Sequence, residues 1–143
     1  MKNILVTIGF NENDHLLIDQ AHKLAQAFQS KVWLIHIAAP EPDFAGYAGP
    51  PSVRDMRAEE LREEHRAIQD LANQLTAKNI DAEGLLVQGA TIETIMEEAK
   101  KLQIDLIIAG HEEHNFFYKA FRGSVSVSII NTSKIPVLIV PID

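Results

Sequence analysis

The stretch of this chain richest in groups that do chemistry runs from Gly110 to Ser126, Gly-His-Glu-Glu-His-Asn-Phe-Phe-Tyr-Lys-Ala-Phe-Arg-Gly-Ser-Val-Ser. An apolar run, Leu106 to Ala109, ends just before it, and a segment of helical period begins near Ser124. The first turn of a helix carries unpaired N–H groups and a partial positive charge, so it can hold an anion. Gly123 lets the backbone approach such an anion closely, and the hydroxyls of Ser124 and Ser126 can donate to phosphate oxygens. The competing role for Ser124 is to cap its own helix. Neither G-x-G-x-x-G nor G-x-x-x-x-G-K-[ST] occurs, which leaves out the Rossmann fingerprint and the Walker-type loop.

Other reactive groups point to less. His111 and His114 are three apart, whereas the helical zinc pattern needs four, and a solvated polar loop is the better reading. No metal site is expected. The chain has no cysteine, so thiol catalysis and disulfides are excluded. There is no G-x-S-x-G elbow and no nucleophile–base–orienter set, so no catalytic residue is assigned and the chain reads as a binding module rather than an enzyme. His36 lies in a strand and reads as a hydrogen-bonded core histidine in preference to a cleft residue. Phe116, Phe117, Tyr118 and Phe121 are costly if all exposed. They either cover a cleft or pack in their own loop against Phe44 and Tyr47.

The elements that must position these residues follow from hydrophobic periodicity. Apolar runs at Ile4–Ile8, Val32–Ile37, Leu85–Val87, Leu106–Ala109 and Val137–Val140 lack alternation, as strands covered on both faces do. Between them, Leu17, Ala21, Leu24 and Phe28 recur at helical spacing. So do Leu61, His65, Ile68, Leu71 and Leu75 in a longer, charged segment, whose acids and bases from Arg57 to Arg66 form a solvated face. A third helix carries Ile92, Ile95, Met96, Ala99 and Leu102, with Thr91 as its expected N-cap, and a fourth spans Ser124 to Thr132. Strands joined by helices run parallel with right-handed crossovers. The expected fold is therefore a single α/β domain over residues 1–143, a doubly wound five-stranded parallel sheet with helices on both faces. Two long segments, Ala38 to about Val53 and Gly110 to Arg122, follow strands. The prolines and glycines of the first exclude a regular element. Both lie at the carboxyl edge of the sheet, where open α/β sheets bind ligands.

The chain resembles the universal stress protein family. Its ATP-binding members carry Gly-x2-Gly-x9-Gly-[Ser/Thr] between the fourth strand and fourth helix; here Gly110, Glu113 and Gly123-Ser124 hold those positions. Lys2–Val6, Leu34–Ile37, Val87-Gln-Gly89 and Ile135–Pro141 are also similar, so the resemblance runs along the whole chain in order. It implies strand order 3-2-1-4-5 and a homodimer through the last strand, Pro136 to Ile142. It implies ATP or AMP as ligand, with adenine near Thr7, Ile8, Gly9 and Ile37. The phosphates would meet Ala109, Gly110, Glu113, Gly123, Ser124, Val125 and Ser126. Two positions depart from the family. Gly9 stands where the family has Asp, and Glu113 stands where it has Gly, adding a negative charge beside an anion.

A net charge of −7 argues against nucleic-acid or anionic-membrane partners. The opening residues lack the apolar core of a signal peptide, and no apolar run approaches the roughly 20 residues of a membrane span, so a cytoplasmic location is expected. Two functions follow: a nucleotide-responsive dimeric stress or signalling module, or a nucleotide-independent dimeric interaction protein of the same family with an unknown protein partner. A small flavodoxin-like enzyme for another phosphorylated ligand is the third.

Overall fold

The computed structural model describes residues 1–38, 51–111 and 123–142, and for 51–54 and 123–127 the backbone alone. The elements are β1 (Asn3–Thr7), α1 (Asp14–Phe28), β2 (Lys31–Ala38), α2 (Pro51–Thr76), β3 (Ala82–Gln88), α3 (Thr91–Lys101), β4 (Leu106–His111), α4 (Gly123–Thr132) and β5 (Val137–Pro141). They form one sheet of five parallel strands in the order β3-β2-β1-β4-β5. The fold class and strand order expected from the sequence are those of the structure.

The two-residue period of a strand divides the core into two layers. Ile4, Val6 and Ile8 of β1, with Val32 and Leu34 of β2 and Leu106 and Ile108 of β4, face α1 and α2. Leu5, Ile35, Ile107 and Ala109 point the other way, onto Ile95 and Ala99 of α3 and Ile129 of α4. The central strand is fully buried: Ile4, Leu5 and Val6 have no exposed surface. Burying each such side chain contributes about 1.5–3 kcal/mol. At Gly84 an added Cβ would stand 2.9 Å from the Ile68 carbonyl oxygen, so this glycine sets how closely α2 lies on β3.

Four local expectations are corrected. Phe28 is 55% exposed, because the inward face of α1 closes with Ala21 and Ala25. His65 is exposed; the packed face of α2 runs through Ile68, Ala72 and Leu75, and one turn earlier it presents Glu64. Ala90 is the N-cap of α3, and Thr91 is its first helical residue. Residues 51–53, expected in a loop, already belong to α2: Pro51 opens the helix, a position that needs no N–H donor. The rest of that segment, 39–50, lies outside the described residues, as do Glu113, His114 and the aromatic group from Phe116 to Phe121.

Candidate functional site

Three strands end side by side at the carboxyl edge. β1 runs out at Thr7 and turns through Ile8, Gly9 and Phe10 into α1. β2 continues past it to Ala38, and β4 runs to His111 on the other flank. The chains leaving β2 and β4 go to opposite faces of the sheet, and such a switch point leaves a crevice. The crevice here has a volume of about 220 Å3. Thr7, Ile8, Gly9, Asn11, Asp14 and Leu17 line it from β1 and α1. Ile35, His36 and Ile37 line it from β2, and Thr91, Ile95, Gly110 and Ile142 complete the wall.

The turn after β1 is held tightly. Ile8 N–H donates to the Ile35 carbonyl at 2.8 Å. Phe10 takes φ 58°, a left-handed conformation uncommon outside glycine, and its ring lies 4.2 Å from that of His36. Backbone strain of this kind persists only where neighbouring contacts over-determine it. The Nδ1 of His36 sits 2.7 Å from the Ile8 carbonyl oxygen; since a carbonyl only accepts, Nδ1 carries the hydrogen. The other ring nitrogen, Nε2, lies 3.9 Å from Glu64 Oε2 on α2. The side chain of Asn11 accepts from Asn13 N–H at 2.9 Å, closing an Asx turn ahead of α1. Asp14, in the first turn, reaches back to accept from Gly9 N–H at 3.4 Å and Asn11 N–H at 3.1 Å.

Of the residues singled out from the sequence, Thr7, Ile8, Gly9, Ile37 and Gly110 come together in this cleft. A Cβ at Gly110 would meet the Ile142 and Leu17 side chains at 3.1–3.3 Å, so the glycine admits that packing at the cleft wall. Ala109 is buried instead against the α3–α4 layer. Gly123, Ser124, Val125 and Ser126 form the first turn of α4, beginning a helix as expected. His36 is hydrogen-bonded, as read from the sequence, yet it also lines the cleft. Asp14 was missed: a lone acid after a turn looks like a helix-start residue, and nothing in the sequence shows that it folds back onto Gly9. Among the described residues no group of three His, Asp or Glu side chains is placed to hold a metal. No helix among them is long and apolar enough to cross a membrane.

A doubly wound α/β domain with its cleft at the strand switch point is a ligand-binding architecture used by many families. The family model for the universal stress protein family matches residues 1–141, and the chain belongs to that family. It is 29% identical over 143 residues to universal stress protein A of Escherichia coli K12, covering 99% of this chain and 94% of that protein. Among solved structures, a universal stress protein in complex with cAMP superposes with TM-score 0.74 at 20% identity, covering 99% of this chain and 98% of the other. A universal stress protein family protein from Arabidopsis thaliana with AMP bound superposes with TM-score 0.70 at 16% identity, covering 100% and 93%.

Proposed function

We propose that this chain is a dimeric, non-enzymatic stress-response signalling module of the cytoplasm whose cleft binds an adenine nucleotide, of the AMP or ATP type. The observation that carries the reading is the cleft itself. Ile8, Ile35, Ile37 and Ile95 give it walls suited to a flat base, and Thr7, Asp14 and His36 supply polar groups. A volume of about 220 Å3 lies below the roughly 300–1,000 Å3 of drug-sized pockets, which suits a nucleoside with its phosphates outside, towards the start of α4. Structural neighbours solved with cAMP and with AMP support the same class of ligand.

Titration calorimetry with AMP and ATP tests it, together with mass spectrometry of ligand released from purified protein. Glu113→Gly removes a charge near the phosphates and is expected to tighten binding by about fivefold. Gly123→Val crowds the phosphate approach and is expected to weaken it. Wild type binding better than Glu113→Gly would remove this account of the loop. If none of the three binds, the nucleotide-independent interaction protein stands; Gly9 and Glu113, both departures from the family's nucleotide-binding pattern, favour that second reading.

The dimer is proposed through β5. This strand is an edge of the sheet, and Val137, Leu138 and Ile139 are only half-buried. An apolar edge left open invites uncontrolled pairing, and antiparallel pairing with a second copy closes it. Sedimentation at micromolar concentration is expected to show a dimer that Leu138→Lys shifts towards monomer.

A further inference from the structure

The sheet ends on one side at β3, whose only partner strand is β2. Just outside its two ends, the Asp81 carbonyl accepts from Val32 N–H at 2.8 Å and Gly89 N–H donates to the Ala38 carbonyl at 3.3 Å. Backbone groups alternate in direction along a strand, so the odd-numbered residues of β3 turn theirs to β2. The N–H and C=O of Ala82, Gly84, Leu86 and Gln88 point outwards, and among the described residues they meet no hydrogen-bond partner. Proteins commonly blunt such an edge with charge or proline. Here the middle of the strand, Leu85-Leu86-Val87, is apolar and only half-buried.

On the face covered by α2, Leu86 lines a groove of about 600 Å3 with Glu59, Leu61, Arg62, His65 and Arg66. Glu59 is the only acid among these residues. Its Oε2 accepts from Arg62 at 2.8 Å and its Oε1 from Arg66 at 3.4 Å. A guanidinium has five N–H donors, and Arg62 and Arg66 use only part of theirs on Glu59. Their side chains are 64% and 67% exposed. Two cations and one anion make the groove locally positive in a chain of net charge −7.

A row of outward N–H and C=O groups is matched by another strand. Side chains of an added strand would alternate between the two faces of the sheet. Those on the α2 face would meet Arg62 and Arg66, where carboxylates fit. Those on the other face would lie beside Leu85 and Val87, where aliphatic groups fit. A second copy of β3 does not supply this pattern, because Ala82, Gly84, Leu86 and Gln88, its residues on the α2 face, include no acid.

We propose that the β3 edge and the arginines of α2 form a docking surface for an extended acidic segment of a partner protein, which adds to the sheet as a sixth strand. The surface lies at the opposite edge from β5 and is independent of the nucleotide reading.

The test is fluorescence anisotropy with a labelled, capped short peptide of alternating Val and Glu. Wild type is expected to bind it with a Kd below about 1 mM. Binding is expected to weaken roughly tenfold or more in the double variant Arg62→Glu, Arg66→Glu. The same peptide with Lys for Glu puts the charge question to wild type itself, and an equal loss is expected. N-methylation of alternate peptide nitrogens, which removes strand donors and keeps the side chains, is expected to abolish binding. Hydrogen exchange is expected to show the Gly84, Leu86 and Gln88 amides protected when peptide is added. No binding by wild type overturns the inference, as does binding that survives N-methylation or ignores the charge of the peptide. Protection of the same three amides without peptide, rising with protein concentration, also overturns it and assigns this edge to a second copy of the chain.

Discussion

Each end of β1 is held by an aspartate that accepts two backbone N–H groups, and the two clasps differ. At the amino end, Asp105 Oδ2 accepts from Lys2 at 2.7 Å and from Asn3 at 3.0 Å. The side chain is in solvent, and the hydrogen bonds from Asn3 and then Lys2, with the nearby positive charges, hold its carboxyl below the usual range. Asn3 is fixed again by Trp33, whose indole N–H donates to its side-chain oxygen at 3.2 Å. At the carboxyl end, Asp14 is buried and spreads two longer contacts over both oxygens. A carboxylate whose task is only to start a strand makes short bonds and faces water. One that lines a cleft is largely out of water and ties the turn after the strand to the helix that follows it.

The largest effect that sharpens this contrast is expected from Asp14→Ala. It removes a buried acceptor and leaves two N–H groups without it, costing about 2 kcal/mol in urea denaturation. Asp105→Ala exposes its two N–H groups to water instead and is expected to cost less; a larger loss from Asp105→Ala would break the comparison. Next in size is His36→Phe, which keeps the ring against Phe10 but removes the donor to Ile8. About 1 kcal/mol of stability is expected to be lost, with a smaller protection of the Ile8–Phe10 amides from hydrogen exchange. The smallest effect is acid dependence at the amino end. The carboxyl of Asp105 is depressed in the folded state, so its contribution is present above the ordinary aspartate range and is lost as pH falls through the depressed value. Stability against pH is therefore expected to fall less steeply in acid for Asp105→Asn than for wild type. Parallel curves would show that Asp105 does not contribute.

Much of the cleft was legible because its position follows from topology. Thr7, Ile8, Gly9 and Ile37 stand at the ends of apolar runs, and Gly110 follows the fourth; once the runs are parallel strands, those ends meet at one edge. What was not legible came from the helices. His65 and Phe28 share a helical stripe with core residues, yet both are exposed, since the stripe is wider than the surface it covers. Glu64 shares the packed face with Ile68 because His36 lies opposite it, a pairing between elements that no local pattern records.

By itself the sequence determined the five strands, their parallel sense, and the edge at which the cleft opens. Apolar runs covered on both faces and the chirality of helical crossovers are local and general properties. Only the tertiary structure decided which polar groups face that edge. The return of Asp14 to Gly9, the commitment of His36 Nδ1 to Ile8, and the left-handed turn at Phe10 all depend on distances between segments. Such distances are set by packing of the whole domain, and a one-dimensional pattern does not carry them.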